Sequence, residues 1–126
     1  MGVSEPRLIF AFEGPYEVYV CDSVQAAEGQ FEAIDVDNNE YVFFGDDGEV
    51  IRGRTRDGLV VLAPTSEKRP AELRNRLRTY LVHPGVQLDA DLADDPVALG
   101  RILLQRQRDR QWPRWPGWLH RLVHRG

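Results

Sequence analysis

The fold is decided by the stretch Glu40-Tyr-Val-Phe-Phe-Gly-Asp-Asp-Gly-Glu-Val-Ile-Arg-Gly-Arg-Thr-Arg-Asp-Gly-Leu-Val-Val-Leu-Ala-Pro64, where two segments ending in Asp-Gly separate three apolar runs. Asp57-Gly58 suits a two-residue hairpin loop, because both central positions of such a loop need positive φ. Gly48 is expected to be the left-handed residue of the longer first loop. The stretch therefore predicts a three-stranded antiparallel meander.

The first strand of this meander, Tyr41-Val-Phe-Phe44, is apolar on both faces, since alternate residues of a strand point to opposite sides of a sheet. We expect it to be a central strand covered on both sides, either by helices or by a helix and the C-terminal tail. In the second strand Arg52 and Arg54 share one face. That face is expected to meet solvent.

The flanking segments complete a single α+β domain, residues 1–126. The predicted order is β-β-α-β-β-β-α-α-α, with a four- to five-stranded, mainly antiparallel sheet and helices packed on it. Residues 1–64 are the sheet-forming half with one short helix, and residues 65–126 are the helical half. Ser23 or Asp22 caps the first helix, and Pro70 and Pro96 occupy the first turns of the next two.

The helical half ends in a basic segment in which three tryptophans repeat every three residues. We rank first the interpretation that they cover an otherwise exposed side of the sheet. The same segment could bind single-stranded nucleic acid, by stacking bases and contacting phosphates, or an anionic membrane surface. The residues of this alternative site are Arg106, Arg108, Arg110, Trp112, Arg114, Trp115 and Trp118.

Charge is unevenly distributed along the chain. The net charge is −4, but residues 1–60 hold 13 acidic against 4 basic residues, whereas residues 61–126 hold 12 basic against 7 acidic residues. A concentrated acidic surface speeds association with a basic protein. The carboxylates of one connector and the adjacent hairpin loop are the candidate partner-binding site: Asp35, Asp37, Glu40, Asp46, Asp47 and Glu49.

Several function classes lack their sequence signatures. Cys21 is the only cysteine, which excludes an intramolecular disulfide and a cysteine-rich zinc site. Asp35, Asp37 and Asn39 have calcium-loop spacing, but the glycine and glutamate that such a loop needs are missing. There is no glycine-rich phosphate loop, nucleophile elbow or His-Glu-x-x-His sequence. We expect a non-catalytic protein with no cofactor or metal, and a cytoplasmic location because no signal peptide or membrane span is apparent.

The runs Cys21-Asp-Ser-Val-Gln-Ala-Ala-Glu28, Phe31-Glu-Ala-Ile-Asp-Val36 and Glu40-Tyr-Val-Phe-Phe44, followed by Gly48, resemble small α+β immunity proteins of bacterial polymorphic toxin systems. The resemblance covers residues 17–82. It implies an inhibitor that binds a cognate toxin tightly, and it carries no individual functional residue. The leading hypothesis is therefore a protein-binding module that neutralises a basic toxin domain. The alternative is a module that binds nucleic acid or an anionic membrane.

Overall fold

The computed structural model describes residues 8–31, 36 and 40–111, with Gln111 described by its backbone alone. Within these residues one five-stranded antiparallel sheet has the strand order β2-β1-β3-β4-β5, which confirms the predicted α+β class. The last helix of the predicted order falls in the C-terminal tail, residues 112–126, which lies outside the described residues. The elements are β1 Ile9–Glu13, β2 Glu17–Cys21, α1 Val24–Gln30, β3 Val42–Gly45, β4 Glu49–Arg56, β5 Leu59–Lys68, α2 Pro70–Leu81, a 3-10 helix Ala90–Asp94 and α3 Pro96–Gln111.

The meander predicted from Asp-Gly is confirmed. Asp57 and Gly58 have φ angles of 54° and 77°, and Gly48 has a φ of 86°. The third strand is longer than the sequence suggested, because β5 continues past Pro64. Two extra residues bulge out of β5, and the strand rejoins β4 where Lys68 lies opposite Glu49. The sheet-forming half therefore ends at residue 68 rather than at residue 64.

Both faces of the sheet carry a hydrophobic core, as the apolar first strand of the meander predicted. Phe44 belongs to the core under α2 and α3, while its neighbour Phe43 belongs to the core on the other face, beneath α1. We call these the two-helix face and the α1 face. The buried residues of the two-helix face are Leu8, Phe10, Phe12, Val20, Phe44, Leu73, Leu77, Leu81, Val86, Ala93, Leu99 and Leu103.

Helix α1 packs on the α1 face and bridges the width of the sheet. This helix has seven residues and contacts both β2 and β5, which are the two edge strands. Ala27 within the helix and Phe31 at its C-terminal end belong to the core between α1 and the sheet.

Side chains cap backbone groups on both edges of the sheet. On β2, the Gln107 side chain accepts a hydrogen bond from the Val20 N–H and donates one to the Val20 carbonyl, each at 2.8 Å. On β5, the Glu28 carboxylate accepts from the Leu62 N–H at 2.8 Å. Pro64, two residues further along, has no N–H to offer. Such devices hinder the edge-to-edge pairing that exposed strands invite.

Replacing Gln107 with alanine is expected to lower the free energy of unfolding by about 1–2 kcal/mol, because two backbone groups of Val20 lose their partner. Gln105→Ala is the matched control, since the Gln105 side chain bonds only Asp109 on the exposed side of the same helix. Urea unfolding measures both variants. Equal losses for the two glutamines would contradict the role assigned to Gln107.

Cys21 is expected to resist thiol reagents in the folded protein. Its side chain is buried, and its sulfur donates to Oε1 of Gln30 at 3.2 Å. Burial, reinforced by the nearby charge of Asp22, raises the pKa of the Cys21 thiol to about 12. Since the thiolate is the reactive form, alkylation by iodoacetamide at pH 8 should be at least about tenfold slower than in urea.

The same pKa has a consequence for stability at alkaline pH. The thiol of the unfolded chain ionises at its ordinary pKa near 8.5, whereas the folded chain keeps it protonated. The free energy of unfolding therefore falls as the pH rises from about 8.5 towards 12. Below the unfolded value the contribution is complete. Rapid alkylation of the native chain at pH 8 would contradict this account of Cys21.

Candidate partner-binding surfaces

The six acidic residues singled out in the sequence do not form one surface among the described residues. Asp35 and Asp37 lie outside the described residues. Glu40 is exposed before β3, and Asp46 follows the last residue of that strand. Four strand residues span about 13 Å, so β3 holds these two carboxylates apart.

Glu49 corrects the sequence-based expectation most clearly. Its side chain lies in the protein interior, where only 5 % of the residue is exposed, and Oε2 accepts a hydrogen bond from the Ser66 N–H at 2.8 Å. Ser66 has a φ of 67° in the bulge of β5, so the carboxylate secures a left-handed turn. Glu49 is two residues from buried Ile51, and this period-two spacing was the signal that it points inwards.

Asp47 is also engaged within the chain. Its carboxylate accepts from the Glu49 N–H at 3.0 Å and forms an ion pair with Lys68. Partial burial alone would raise the pKa of Asp47, but the hydrogen bonds from Lys68 and the Glu49 amide outweigh it and hold that pKa below its ordinary value. The acid is therefore matched by a base from the molecule itself.

The basic set is likewise partly committed to the fold. Arg106 donates to the Val86 carbonyl at 2.8 Å, and Arg108 pairs with Asp22 at 2.9 Å. Arg110 is exposed near the end of α3. The remaining members of this candidate site lie outside the described residues: Trp112, Arg114, Trp115 and Trp118.

A third surface, which sequence reasoning did not propose as a site, lies on the part of the two-helix face formed mainly by β4 and β5. Three arginines of β4 are exposed there, each directly opposite an aliphatic residue of β5. Leu59 is 70 % exposed, and Val42 on β3 is 37 % exposed. We call this surface the arginine face and define it as Val42, Arg52, Arg54, Arg56, Leu59 and Val61.

The arginine face is open because the helices are anchored elsewhere. The N-terminus of α2 is held by a hydrogen bond from the Arg69 N–H to the Gly48 carbonyl at 2.8 Å, and its leucines pack on β1 and β3. Gln107 holds α3 on the β2 edge. Gly100 lets α3 approach closely, since a Cβ there would lie 2.5 Å from Leu8 Cδ1. No described residue covers the rest of β4 and β5 on this side.

No ion pair among the described residues includes an arginine of the arginine face. The pairs that form engage Lys68, Arg69, Arg76, Arg78 and Arg108. Successive arginines on one strand face lie about 7 Å apart and repel each other by about 0.6 kcal/mol in water. A partner carboxylate would relieve this repulsion.

A groove of about 390 Å³ adjoins the arginine face. Its floor is formed by residues of β3 and β4: Val42, Phe44, Val50 and Arg52. Its opposite wall comes from the bulge of β5 and the start of α2: Thr65, Glu67, Arg69 and Glu72. The two acids of this wall are already paired, Glu67 with Arg69 and Glu72 with Arg69 and Arg76. The groove is therefore apolar at its base and basic at the margin that meets β4.

No protein-family model, curated protein or solved structure matches the chain. The described ranges contain no group of three or more His, Cys, Asp or Glu side chains placed to hold a metal ion. In those ranges no helix combines the length and hydropathy of a membrane span.

Proposed function

We propose that this chain is a protein-binding module that acts without catalysis and neutralises a cognate protein, the role implied by the resemblance to immunity proteins. Its place of action in this proposal is the bacterial cytoplasm. The observation that carries the proposal is the arginine face. On this face, three arginines that no ion pair among the described residues engages lie beside Leu59, which is 70 % exposed.

A fixed surface that combines arginine with exposed aliphatic side chains suits a protein partner. Arginine is enriched at protein interfaces, and apolar residues at their centre provide the buried area. The sheet face supplies both without rearrangement, because β4 is paired on both sides by β3 and β5. The backbone of the sheet therefore loses little conformational freedom on binding.

The expected basic toxin domain remains a separate proposal. Among the described residues it now depends on Glu40, Asp46 and Asp47, because Glu49 is buried. The alternative of nucleic-acid or anionic-membrane binding through the C-terminal segment depends on Arg110 and on residues outside the described ranges. The arginine face thus carries more of the proposal than either of these two sets.

The test is neutralisation of the protein encoded next to this gene. Bacteria that express the neighbouring protein should stop growing, and co-expression of this chain should restore growth. Calorimetry on the two purified proteins should then give a one-to-one complex with a dissociation constant of about 10 nM or below. A neighbouring protein that neither binds this chain nor is neutralised by it would overturn the proposal.

A further inference from the structure

We infer that the arginine face docks an acidic segment of another protein, and that an apolar side chain of that segment inserts into the adjoining groove. This inference rests on the proposed protein-binding function and adds the chemistry of the partner. It reverses the charge expected of the partner from the sequence alone. Four features of the chain support this docking mode.

The first feature is charge complementarity. Arg52, Arg54 and Arg56 alternate along β4, so the three side chains leave the same face of the strand from Cα atoms about 7 Å apart. This spacing is within the screening length of about 8 Å at physiological ionic strength. An approaching segment therefore meets the field of all three charges together, and carboxylates at alternate positions of an extended segment have the same spacing. Arginine also binds carboxylates through two parallel hydrogen bonds, so an acidic side chain is a well-matched partner for each guanidinium group.

The second feature is the aliphatic character of the neighbouring positions. Leu59, Val61 and Ala63 lie directly opposite the three arginines on β5. Recognition of single-stranded nucleic acid relies on aromatic side chains on which bases stack. The exposed apolar residues of this face, Val42 and Leu59, have no ring to offer. A protein segment with aliphatic side chains between its carboxylates fits this surface better than a nucleic acid does.

The third feature is the groove beside Arg52. Its volume of about 390 Å³ is ample for one large apolar side chain, and its base is formed by Val42, Phe44 and Val50. Buried anchors of this kind dominate the binding energy of many interfaces. The acidic groups on its wall, Glu67 and Glu72, already have arginine partners and do not oppose an acidic segment.

The fourth feature argues against two simpler occupants, an added β-strand and the chain's own C-terminal tail. Added strands bind to sheet edges, but Glu28 occupies the Leu62 N–H on the β5 edge and Pro64 offers none. The chain's own tail, residues 112–126, contains arginines and histidines but no acidic residue. Like charges would oppose its docking on the arginine face.

The probes are two synthetic peptides of equal length that share one pattern of leucines, one carrying glutamates and the other lysines at the remaining positions. Each is titrated into the isotope-labelled full chain, and amide chemical shifts are followed by NMR. The glutamate peptide should shift the amides of β4, β5 and the groove, and its affinity should fall about tenfold at 0.5 M salt. The lysine peptide should leave these amides unchanged.

Charge reversal supplies the matched comparison. Arg54→Glu should weaken the glutamate peptide at least about tenfold, whereas Arg101→Glu, at an exposed arginine on α3, should change its affinity less than about twofold. The shift map of each free variant shows that it is folded. Equal effects of the two reversals, or equal binding of the two peptides, would overturn the inference.

Two further outcomes would also overturn it. The first is tighter binding of a single-stranded oligothymidine to the same amides, which would assign the arginine face to nucleic acid. The second is a change in tryptophan emission in the free Arg54→Ala variant, because all three tryptophans lie in the tail and such a change would place the tail on the arginine face. If the neighbouring protein binds through other residues, the proposed function stands and this inference fails.

If the glutamate peptide binds as expected and the neighbouring protein does not bind, the inference about the arginine face stands and the proposed function fails.

Discussion

Replacing Gly48 with alanine is expected to lower the free energy of unfolding by about 3–5 kcal/mol, because the substitution combines a left-handed backbone with a steric clash. Gly48 has a φ of 86°, and a Cβ at this position would lie 2.5 Å from the Cα of Pro70. The obstructing atom belongs to the backbone and cannot rotate away. The turn also accepts the Arg69 N–H hydrogen bond that anchors α2, so the clash would separate the helix from the hairpin.

Gly14→Ala is the control that isolates backbone strain from this clash. Gly14 has a φ of 65°, but nothing lies within 4 Å of the Cβ that alanine would add. Its substitution should therefore cost only the left-handed conformation, about 1–2 kcal/mol. Urea unfolding followed by circular dichroism compares the two variants. A Gly48→Ala variant no less stable than Gly14→Ala would contradict the close packing of the hairpin against α2.

Phe43→Ala and Phe44→Ala are each expected to lower the free energy of unfolding by about 3–5 kcal/mol. The two rings are adjacent in sequence but lie in different cores, and they are 3 % and 1 % exposed. Phe44 packs against Phe12 in an edge-to-face contact and lies beneath the Arg76 guanidinium, 5.8 Å from the ring centroid. Phe43 packs against Phe31 at the end of α1.

Val42→Ala is the control on the same strand. Val42 is 37 % exposed, so its substitution should cost less than about 1 kcal/mol. Thermal and urea unfolding of the three variants would show whether both faces of the sheet are buried. A sheet with only one buried face would leave one phenylalanine variant close to the wild type, which is the result that would contradict the fold.

Most of the fold could be predicted from local sequence signals. Asp57-Gly58 and Gly48 specify turns through φ angles that few other residues adopt, so the meander could be predicted without knowledge of its surroundings. The apolar run at residues 41–44 indicated two buried faces, because alternate residues of a strand point to opposite sides of the sheet. The bulge of β5 could not be predicted, because it depends on Glu49 reaching Ser66 across the sheet.

The candidate sites were harder to predict because they depend on pairing between distant residues. Asp47 and Lys68 are 21 positions apart, and Asp22 and Arg108 are 86 positions apart, so the sequence shows no sign that these charges are matched. Charge segregation along the chain therefore overstated the acidity of the surface. The alternation of Arg52 and Arg54 did predict a solvated strand face. What it could not show was that both helices would leave that face uncovered.

The central claim, that a protein partner docks on the arginine face, is tested most directly by the affinity of the full chain for the neighbouring gene's product. Calorimetry on the wild type, Arg54→Glu and Arg101→Glu would supply it. We predict a loss of at least about tenfold for Arg54→Glu and less than about twofold for Arg101→Glu. Unchanged affinity in the Arg54→Glu complex would contradict the claim and direct attention to the acidic residues Glu40, Asp46 and Asp47.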